Sequence, residues 1–333
     1  MSTTREGRVA VRLEPMTAAE FPAWLQHSRD GFAAQQVASG SLPEPDAVRY
    51  ADAQLAKLLP HGLETPDQHL WTVRAGEPEE TVGHLWVEVR DDADAPGAYA
   101  YDVELVPGAR GRGLGTATMQ AMEETVAAQG VRRVRLNVFG HNTAARALYD
   151  RLGYEVASTF MTKRLAAVGD PSVRSAGPDV ELRPMTPERY RSFRVDQEAS
   201  YARNIEQSGA FGATQARAKA ADDFARLLHA GLGTPGHRIW TGHDADGTEV
   251  GVLWVHLADR SDGTEAFGYD FEVREDLRRH GYGRAMMLAA EDLLRGIGVV
   301  TVGLSVFGFN DGARALYEQQ GFTVTSQSRV KLL

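Results

Sequence analysis

A glycine-rich turn that carries basic residues occurs twice in this chain of 333 residues. The copies read Arg110-Gly-Arg-Gly-Leu-Gly115 and Arg278-Arg-His-Gly-Tyr-Gly283, and each follows a strand-like run and opens a helical pattern. The first turn of a helix leaves about four backbone N–H groups unpaired, and its dipole adds about half a positive charge. Glycine lets the backbone approach a phosphate, and arginine adds charge-assisted hydrogen bonds. The motif favours a pyrophosphate site, although such turns also occur in plain loops.

Other phosphate-binding motifs do not fit these turns. The dinucleotide pattern GxGxxG is absent because Thr116, Ala117 and Thr118 follow Gly115. The pattern GxxxxGK[ST] is absent as well, which argues against an NTPase P-loop.

Paired carboxylates precede each turn, as Asp102 with Glu104 and as Asp270 with Glu272. Side chains alternate along a strand, so the two members of a pair share one face. The other face of the first strand then carries Tyr101, Val103 and Leu105. Like charges on one face raise one pKa toward neutrality, which suits a general base, and they also suit a cationic substrate. Salt bridges to the many arginines of the chain are the structural alternative.

The two turns belong to a duplication. Val11–Thr17 matches Val180–Thr186 at an offset of 169, and Tyr101–Glu104 matches Tyr269–Glu272 at an offset of 168. A repeat this long indicates duplicated domains of about 160 residues. We predict domains at residues 1–165 and 180–333, joined by a linker at 166–179 that is rich in Gly, Pro and Ser.

Strands and helices alternate within each copy. In the first copy a short strand near Val9–Leu13 precedes a capping box, Thr17-Ala-Ala-Glu20, and two helices that end near Leu59. The predicted elements that follow are strands at His69–Arg74, Thr81–Val89 and Ala98–Val106, a helix to Gln129, a strand at Val134–Val138, a helix at Asn142–Leu152 and a strand at Glu155–Arg164. This order predicts an α/β (α+β) fold with helices packed on a sheet.

The spacing of the motifs resembles that of the GNAT superfamily of acyl-CoA-dependent N-acetyltransferases. The pattern is Arg110-x-x-Gly113-x-Gly115, followed by Asn142-x-x-Ala-x-x-Leu-Tyr149 and Gly153-Tyr154. Arg110 and Asn142 are 32 residues apart, as are Arg278 and Asn310. The resemblance covers nearly the whole chain, and in architecture the chain is similar to the tandem members of the superfamily, mycothiol synthases among them.

The resemblance implies a twisted mixed sheet whose fourth and fifth strands splay apart to admit acetyl-CoA. It implies that the turn residues hold the pyrophosphate, that the fourth strand pairs with the pantetheine arm, and that two asparagines lie near the cofactor. In the first copy these residues are Val103, Leu105, Arg110, Gly111, Arg112, Gly113, Gly115, Thr116 and Asn142. In the second copy they are Phe271 to Val273, Arg278, His280, Gly281, Gly283, Arg284 and Asn310. Arg279 and His280 depart from the pattern, standing where the first copy has Gly111 and Arg112.

The resemblance also implies an acid and a base. Tyr149 and Tyr317 would protonate the leaving thiolate; the structural alternative is a core tyrosine. Some GNAT enzymes carry a base Glu on the fifth strand, but the matching positions here are Asn137 and Ser305. The base candidates are therefore the carboxylate pairs described above, with a water-relayed proton as the alternative.

Composition excludes several classes of function. The net charge of −9 argues against nucleic-acid binding, because proteins that bind nucleic acids usually carry an excess of basic residues. The chain has no cysteine, so a Cys acyl-enzyme is excluded, and its ten histidines show no metal-ligand spacing, so we expect no metal. No segment reads as a signal peptide or a membrane span, so we expect a cytoplasmic protein without a membrane partner.

We therefore expect an N-acetyltransferase that transfers an acetyl group from acetyl-CoA to a primary amine of a small molecule by direct attack in a ternary complex. The alternatives are a protein or peptide N-acetyltransferase, and one catalytic half beside a non-catalytic acyl-CoA-binding or structural half. The chain would be either a monomer with pseudo-dimeric halves or a homodimer.

Overall fold

The computed structural model describes residues 10–91, 94–165 and 178–333. Most of the predicted linker, residues 166–177, lies outside them, as do residues 92 and 93. The chain forms two compact units. Unit 1 comprises Met1–Ala157 together with Ser326–Leu333, and unit 2 comprises Ser158–Thr325. The units therefore differ from contiguous halves, because each contains a strand segment from the other half of the sequence.

Unit 1 is a mixed sheet with helices on it. Its elements are β1 (Arg12–Pro15), α1 (Phe21–Ala38), α2 (Glu44–Leu58), β2 (Gln68–Ala75), β3 (Glu80–Arg90), β4 (Gly97–Leu105), α3 (Leu114–Ala127), β5 (Arg133–Phe139), α4 (Thr143–Arg151) and the start of β6 (Glu155–Arg164). β1 to β4 pair antiparallel in order, and β4 pairs parallel with β5. The predicted capping box forms, since the Glu20 carboxylate accepts from the Thr17 N–H at 2.9 Å.

Unit 2 repeats this order. Its elements are β7 (Glu181–Pro184), α5 (Pro187–Gln207), α6 (Ala213–Leu227), β8 (His237–His243), β9 (Glu249–Arg260), β10 (Gly263–Val273), α7 (Tyr282–Gly296), β11 (Val299–Phe307), α8 (Asp311–Gln319) and the start of β12 (Thr323–Leu332). β7 to β10 pair antiparallel, and β10 pairs parallel with β11. The two mixed sheets confirm the predicted fold class. None of the described helices has the length and hydropathy that crossing a membrane requires.

The helices cover both faces of each sheet, and in unit 1 they create two cores. On one face Leu85 of β3 and Met119 and Met122 of α3 are fully buried in one hydrophobic cluster. On the other face Trp24 of α1 packs on Trp86 of β3. Burial of such a side chain contributes about 1.5–3 kcal/mol, so these cores hold the strands that carry the site.

The fourth and fifth strands separate partway along their length, as predicted. In unit 1 the pairing of β4 with β5 covers only Gly97–Ala100 against Arg133–Leu136, although β4 continues to Leu105. In unit 2 the pairing of β10 with β11 ends at Gly268 opposite Leu304, although β10 continues to Val273. Each unit therefore has an opening where the edge of its fourth strand lacks a neighbour on that side.

A β-bulge lies where β4 begins to part from β5. Asp102 is opposite Trp86, whereas Ala100 is opposite Val87, so Tyr101 is an additional residue. Tyr101 consequently joins the core beneath α1 and α2 and stacks on Trp86 at 4.6 Å between ring centroids. The prediction that Tyr101 shares a face with Val103 and Leu105 was wrong, because strict alternation does not survive a bulge.

Each unit closes its sheet with the last strand of the other half. Residues Ser326–Leu332 of β12 pair antiparallel with β5 in unit 1, and residues Ser158–Arg164 of β6 pair antiparallel with β11 in unit 2. Two lysines at equivalent positions anchor these strands. Lys331 Nζ donates to Glu123 Oε2 at 2.6 Å, and Lys163 donates in the same way to Glu291. Both glutamates are buried, so each of these strands brings a cation to a buried carboxylate of its unit, and Glu291 has a second cationic partner in Arg295 at 3.0 Å.

We predict that Lys331→Met lowers the free energy of unfolding by about 3 kcal/mol, because it leaves the Glu123 carboxylate buried without a cation. Urea denaturation measures this change. The double variant Glu123→Leu/Lys331→Met should regain most of the loss, whereas Glu79→Gln, in an exposed pair with Arg12, should leave the midpoint near that of the wild type. A single variant as stable as the double variant would show that the ion pair does not anchor the exchanged strand.

Candidate active site

The two glycine-rich turns adopt left-handed backbone conformations at the start of long helices. In unit 1, Gly111 and Gly113 have φ of +73° and +79°, and α3 begins immediately afterwards. No side chain caps this helix or its counterpart α7, which follows Gly281 at φ +89°. The first N–H groups of both helices are thus left without a side-chain cap, an arrangement that suits an anion.

Arg279 of the second turn has the same left-handed backbone conformation as Gly111, which stands at the matching position of the first turn. Its φ is +65°, close to the +73° of Gly111 in the other copy. A non-glycine residue in this region costs about 1–2 kcal/mol, so surrounding interactions hold the turn in shape despite the substitution. The departure from the sequence pattern therefore leaves the backbone of the second turn unchanged.

The later glycines of the turns permit close packing. A Cβ atom on Gly115 would lie 3.3 Å from Leu148 Cδ2, and one on Gly283 would lie 3.4 Å from Leu316 Cδ2. These two glycines therefore bring the helix after the turn against the short helix that carries the candidate tyrosine. Arg112, His280 and Arg284 are exposed at the turns.

The first arginine of each turn folds back onto the strand before it. Arg110 Nε donates to the Leu105 carbonyl at 3.0 Å, and its guanidinium lies 3.6 Å from the Glu104 carboxylate. Arg278 donates likewise to the Val273 carbonyl at 3.0 Å and to Glu272 at 3.3 Å. Each of these arginines thus ties its turn to the carboxylate pair.

Asp102 lies just beyond the bulge, where β4 has parted from β5. Burial and, secondarily, the charge of Glu104 raise the pKa of Asp102 to about 6, while nearby Trp24, Ser28 and His27 oppose the rise. Glu104 itself accepts from His27 Nε2 at 2.8 Å. Of the two predicted base candidates, Asp102 is therefore the one whose pKa approaches neutrality.

The pair in unit 2 has the same arrangement with fewer partners. Asp270 Oδ2 is buried without a hydrogen-bond partner, and burial followed by the charge of Glu272 raises the pKa of Asp270 to about 7. Gln197 Nε2 donates to Glu272 at 2.6 Å. Among the described residues, the Phe271 backbone N–H is the one group that opposes this rise, whereas Trp24, Ser28 and His27 oppose it at Asp102. A buried carboxyl oxygen without a partner is costly to ionise, which agrees with the larger shift.

The candidate acids are buried tyrosines of the short helices. Tyr149 of α4 and Tyr317 of α8 are 6% and 7% exposed. Burial raises the pKa of Tyr149 to about 12, and the charge of Asp102 adds to the rise. Burial and the charge of Asp270 raise the pKa of Tyr317 in the same way. In each unit the charge of the aspartate thus raises the pKa of the tyrosine, and both tyrosines are protonated at neutral pH.

Comparison with known proteins identifies the family. The model of the acetyltransferase (GNAT) family matches residues 33–154 and 203–322, one match in each half of the chain. The chain belongs to the GNAT family. It is therefore an acyl-CoA-dependent N-acetyltransferase with two GNAT domains.

Individual relatives agree with this assignment. Mycothiol acetyltransferase of Sanguibacter keddieii is 30% identical over 327 residues, which cover 95% of this chain and 93% of that protein. The N-acetyltransferase YycN of Bacillus subtilis is 32% identical over 157 residues, which cover 47% of this chain and all of that protein. Among solved structures, a GCN5-related N-acetyltransferase of Sphaerobacter thermophilus covers 97% of this chain and 95% of its own, with 20% identity and a TM-score of 0.51, and shares the fold.

The two asparagines of the GNAT pattern cap the short helices. Asn142 Oδ1 accepts from the Ala145 N–H at 3.1 Å, and Asn310 Oδ1 accepts from the Ala313 N–H at 3.1 Å. Each asparagine thereby fixes the start of the helix that carries Tyr149 or Tyr317. Asparagine is a preferred residue at such a helix start, and the predicted place of both asparagines near the cofactor stays a prediction.

Several contacts in and around the candidate site were not predicted from the sequence. His27 carries no local signal in the sequence, because its partner, Glu104, lies 77 residues away along the chain. Aromatic rings form a second missed feature of unit 1, where Phe32 contacts Tyr50 and Phe139, and His141 stacks on Phe139. Only the packing of α1 and α2 over the sheet brings these residues together, so no local signal marks them.

We predict that Asp102→Asn raises the free energy of unfolding by about 1–2 kcal/mol at pH 8. The folded pKa lies above the ordinary value, so the wild type loses stability as pH rises from about 4 through about 6, and the amide variant avoids that loss. Urea denaturation at pH 4.5, 6 and 8 measures the difference, with the exposed Asp30→Asn as control. A variant that gains no stability at pH 8 relative to pH 4.5 would show that Asp102 ionises without penalty.

Proposed function

We propose that each unit transfers the acetyl group of acetyl-CoA to the primary amine of a small molecule at the opening beside its fourth strand. The observation that carries this proposal is the buried aspartate of raised pKa at that opening, which shares its electrostatic environment with a buried, protonated tyrosine. Such a pair supplies a base for the incoming amine and an acid for the departing sulfur.

The residues at the opening fit acetyl-CoA. The side chains of Val103 and Leu105 pack on the core beneath α3 and α4, and this part of β4 has no β5 partner. Its free edge suits the amide groups of a pantetheine arm, as the edges of sheets suit other extended chains. The uncapped start of α3, which follows Gly113, suits the pyrophosphate. Val273 and Gly281 occupy the corresponding places in unit 2.

The aspartates act as the bases in this proposal. An alkyl ammonium has a pKa of about 10, so a proton must leave it before or during attack on the acetyl carbonyl. A carboxylate of pKa about 6 is mostly ionised at neutral pH and still accepts a proton better than an ordinary aspartate. Glu104 helps by raising the pKa of Asp102 and by adding negative charge that attracts an ammonium.

The tyrosines act as the acids. A thiolate of pKa about 8.5 is a good leaving group, so a hydrogen bond from Tyr149 suffices to stabilise the departing sulfur. As the sulfur takes the Tyr149 proton, Tyr149 regains one from the protonated Asp102 or from water, which balances the proton that the amine gave up. The raised pKa ensures that the Tyr149 hydroxyl carries its proton throughout the working pH range. Tyr317 takes this role in unit 2, and because both units keep an aspartate and a tyrosine, we propose that both are catalytic.

Coenzyme A release with a panel of acceptors tests this function. The panel contains small primary amines, including an amino sugar and cysteamine conjugates, and a basic peptide with a free N-terminus. The similarity to mycothiol acetyltransferase over 95% of the chain favours small-molecule acceptors. Faster turnover of the peptide than of every small amine would replace the proposal with a peptide N-acetyltransferase. Release without any N-acetylated product would contradict both.

We predict that Tyr149→Phe lowers the kcat of unit 1 by about 100-fold with little change in the affinity for acetyl-CoA, because the sulfur loses its proton donor. The variant Arg284→Glu serves as background, since a carboxylate at the start of α7 repels pyrophosphate from unit 2. Tyr154→Phe is the matched control, because that ring packs on Tyr149 with centroids 5.6 Å apart. Equal rates for Tyr149→Phe and Tyr154→Phe would show that the role of Tyr149 is purely structural.

A further inference from the structure

The two units hold the glutamate of their carboxylate pair with side chains of different chemistry. In unit 1, His27 of α1 contacts Glu104 with 2.8 Å between Nε2 and Oε2. In unit 2, Gln197 of α5 donates to Glu272 at 2.6 Å. Asp196 stands at the position that matches His27, and the next residue makes the contact instead. Both units thus keep a side-chain contact to the glutamate. Unit 1 makes it with a histidine, which can gain a proton, and unit 2 makes it with a glutamine, which cannot.

We propose that His27 is a positioning residue which holds Glu104 and extends the working range of unit 1 to lower pH, a device that unit 2 lacks. The inference rests on the proposed function and deepens it, since it concerns the regulation of the same site. Histidine is the side chain whose charge ordinarily changes between about pH 5 and 8, so it suits this purpose.

Among the groups around Asp102 and Glu104 in unit 1, His27 is the one that we expect to supply a positive charge that depends on pH. Opposite Glu104 on β3 stands His84, whose pKa is lowered by burial, so this imidazole stays neutral at neutral pH. Arg110 on the turn carries a constant charge 3.6 Å from Glu104. Tyr149 on α4 is protonated and neutral.

Two further charged groups act on His84. Glu20, before α1, and Arg74, on β2, both act on it electrostatically and pair with each other at 3.2 Å. Hydrogen bonds from Thr17 lower the pKa of the Glu20 carboxyl, so it stays ionised near neutral pH. His27 has 62% of its side chain exposed, so its imidazole is in contact with solvent.

Unit 2 lacks the histidines of this environment. Val252 pairs with Glu272 across the strands where unit 1 has His84, and Phe193 of α5 is buried where unit 1 has Trp24 of α1. Arg278 lies 3.3 Å from Glu272 and is permanently charged. The described groups that act on Asp270 are therefore Glu272 and the neutral Tyr317, with no titrating cation among them.

The sign of the effect follows from Coulomb attraction. A protonated His27 favours the ionised form of Asp102, so the base stays ionised to lower pH than it would beside a neutral side chain. The exposed position of the imidazole screens this attraction, so we expect a shift of about half a pH unit. Asp270, with a pKa of about 7 against about 6 for Asp102, has no such assistance.

Carbon-13 NMR titration of the aspartate carboxyls in the full-length protein tests this inference without any acceptor. Spectra of Asp102→Asn and Asp270→Asn assign the two signals, and titration runs from pH 4 to pH 9. We expect His27→Gln to raise the midpoint of Asp102 by about half a unit and to leave that of Asp270 unchanged. His27→Lys, which keeps a positive charge, should restore the low midpoint. Gln197→His should lower the midpoint of Asp270. The exposed His61→Gln is the control and should move neither midpoint.

An Asp102 midpoint that is the same in the wild type, His27→Gln and His27→Lys would overturn the inference, as would an upward shift in the His61→Gln control. The acid limb of acetylation by unit 1, measured in the Arg284→Glu background with the best amine of the panel, should move upward with His27→Gln. If the wild type acetylates amines and this limb stays in place, the inference fails and the proposed function stands. If no amine is acetylated while the NMR midpoints move as expected, the proposed function fails and His27 still controls the pair.

Discussion

The separation of the fourth strand from the fifth is the constraint on which the site depends. Strands that part in the middle of a sheet leave backbone N–H and C=O groups without partners, and such groups are costly unless something else binds them. In unit 1 the parting begins at Ala100, and the bulge at Tyr101 immediately follows it. The bulge turns Tyr101 into the core beneath α1 and α2 and presents Asp102 at the opening. One irregularity in one strand therefore provides both the edge for a ligand and the position of the base.

A second consequence of this geometry is electrostatic. A carboxyl at the opening is partly removed from water and stands near a second carboxylate, so its neutral form is favoured. Fold stability alone does not explain why both units keep this arrangement, because ionising Asp102 or Asp270 costs free energy at neutral pH. Strain of this kind typically persists where a site requires it, and Arg279, held in a left-handed conformation at the second turn, is another example.

The sequence predicted most of this structure from local signals. The glycine turns and the capping box depend on residues close together in the chain, and their backbone follows from glycine freedom and helix termini. The repeat is visible because both copies keep these local motifs at a nearly constant offset. Three features were not predictable. The bulge at Tyr101 breaks the alternation that predicts on which face a side chain lies. The pairings of β6 with β11 and of β12 with β5 join strands from different halves of the sequence, and the contact of His27 with Glu104 joins residues 77 positions apart. Each is decided by tertiary structure.

The most direct test of two acetyl-CoA sites is a calorimetric titration of acetyl-CoA into the full-length protein, read for stoichiometry. Thr116→Glu and Arg284→Glu each place a carboxylate in the first turn of α3 or α7, where it favours the helix and repels pyrophosphate. Gly296→Glu, at the far end of α7, controls for the added charge. We predict two sites in the wild type and in the control, and one site in each of the other two variants. A wild type that binds no acetyl-CoA, or variants that keep both sites, would contradict the assignment of the strand openings and glycine turns to this ligand.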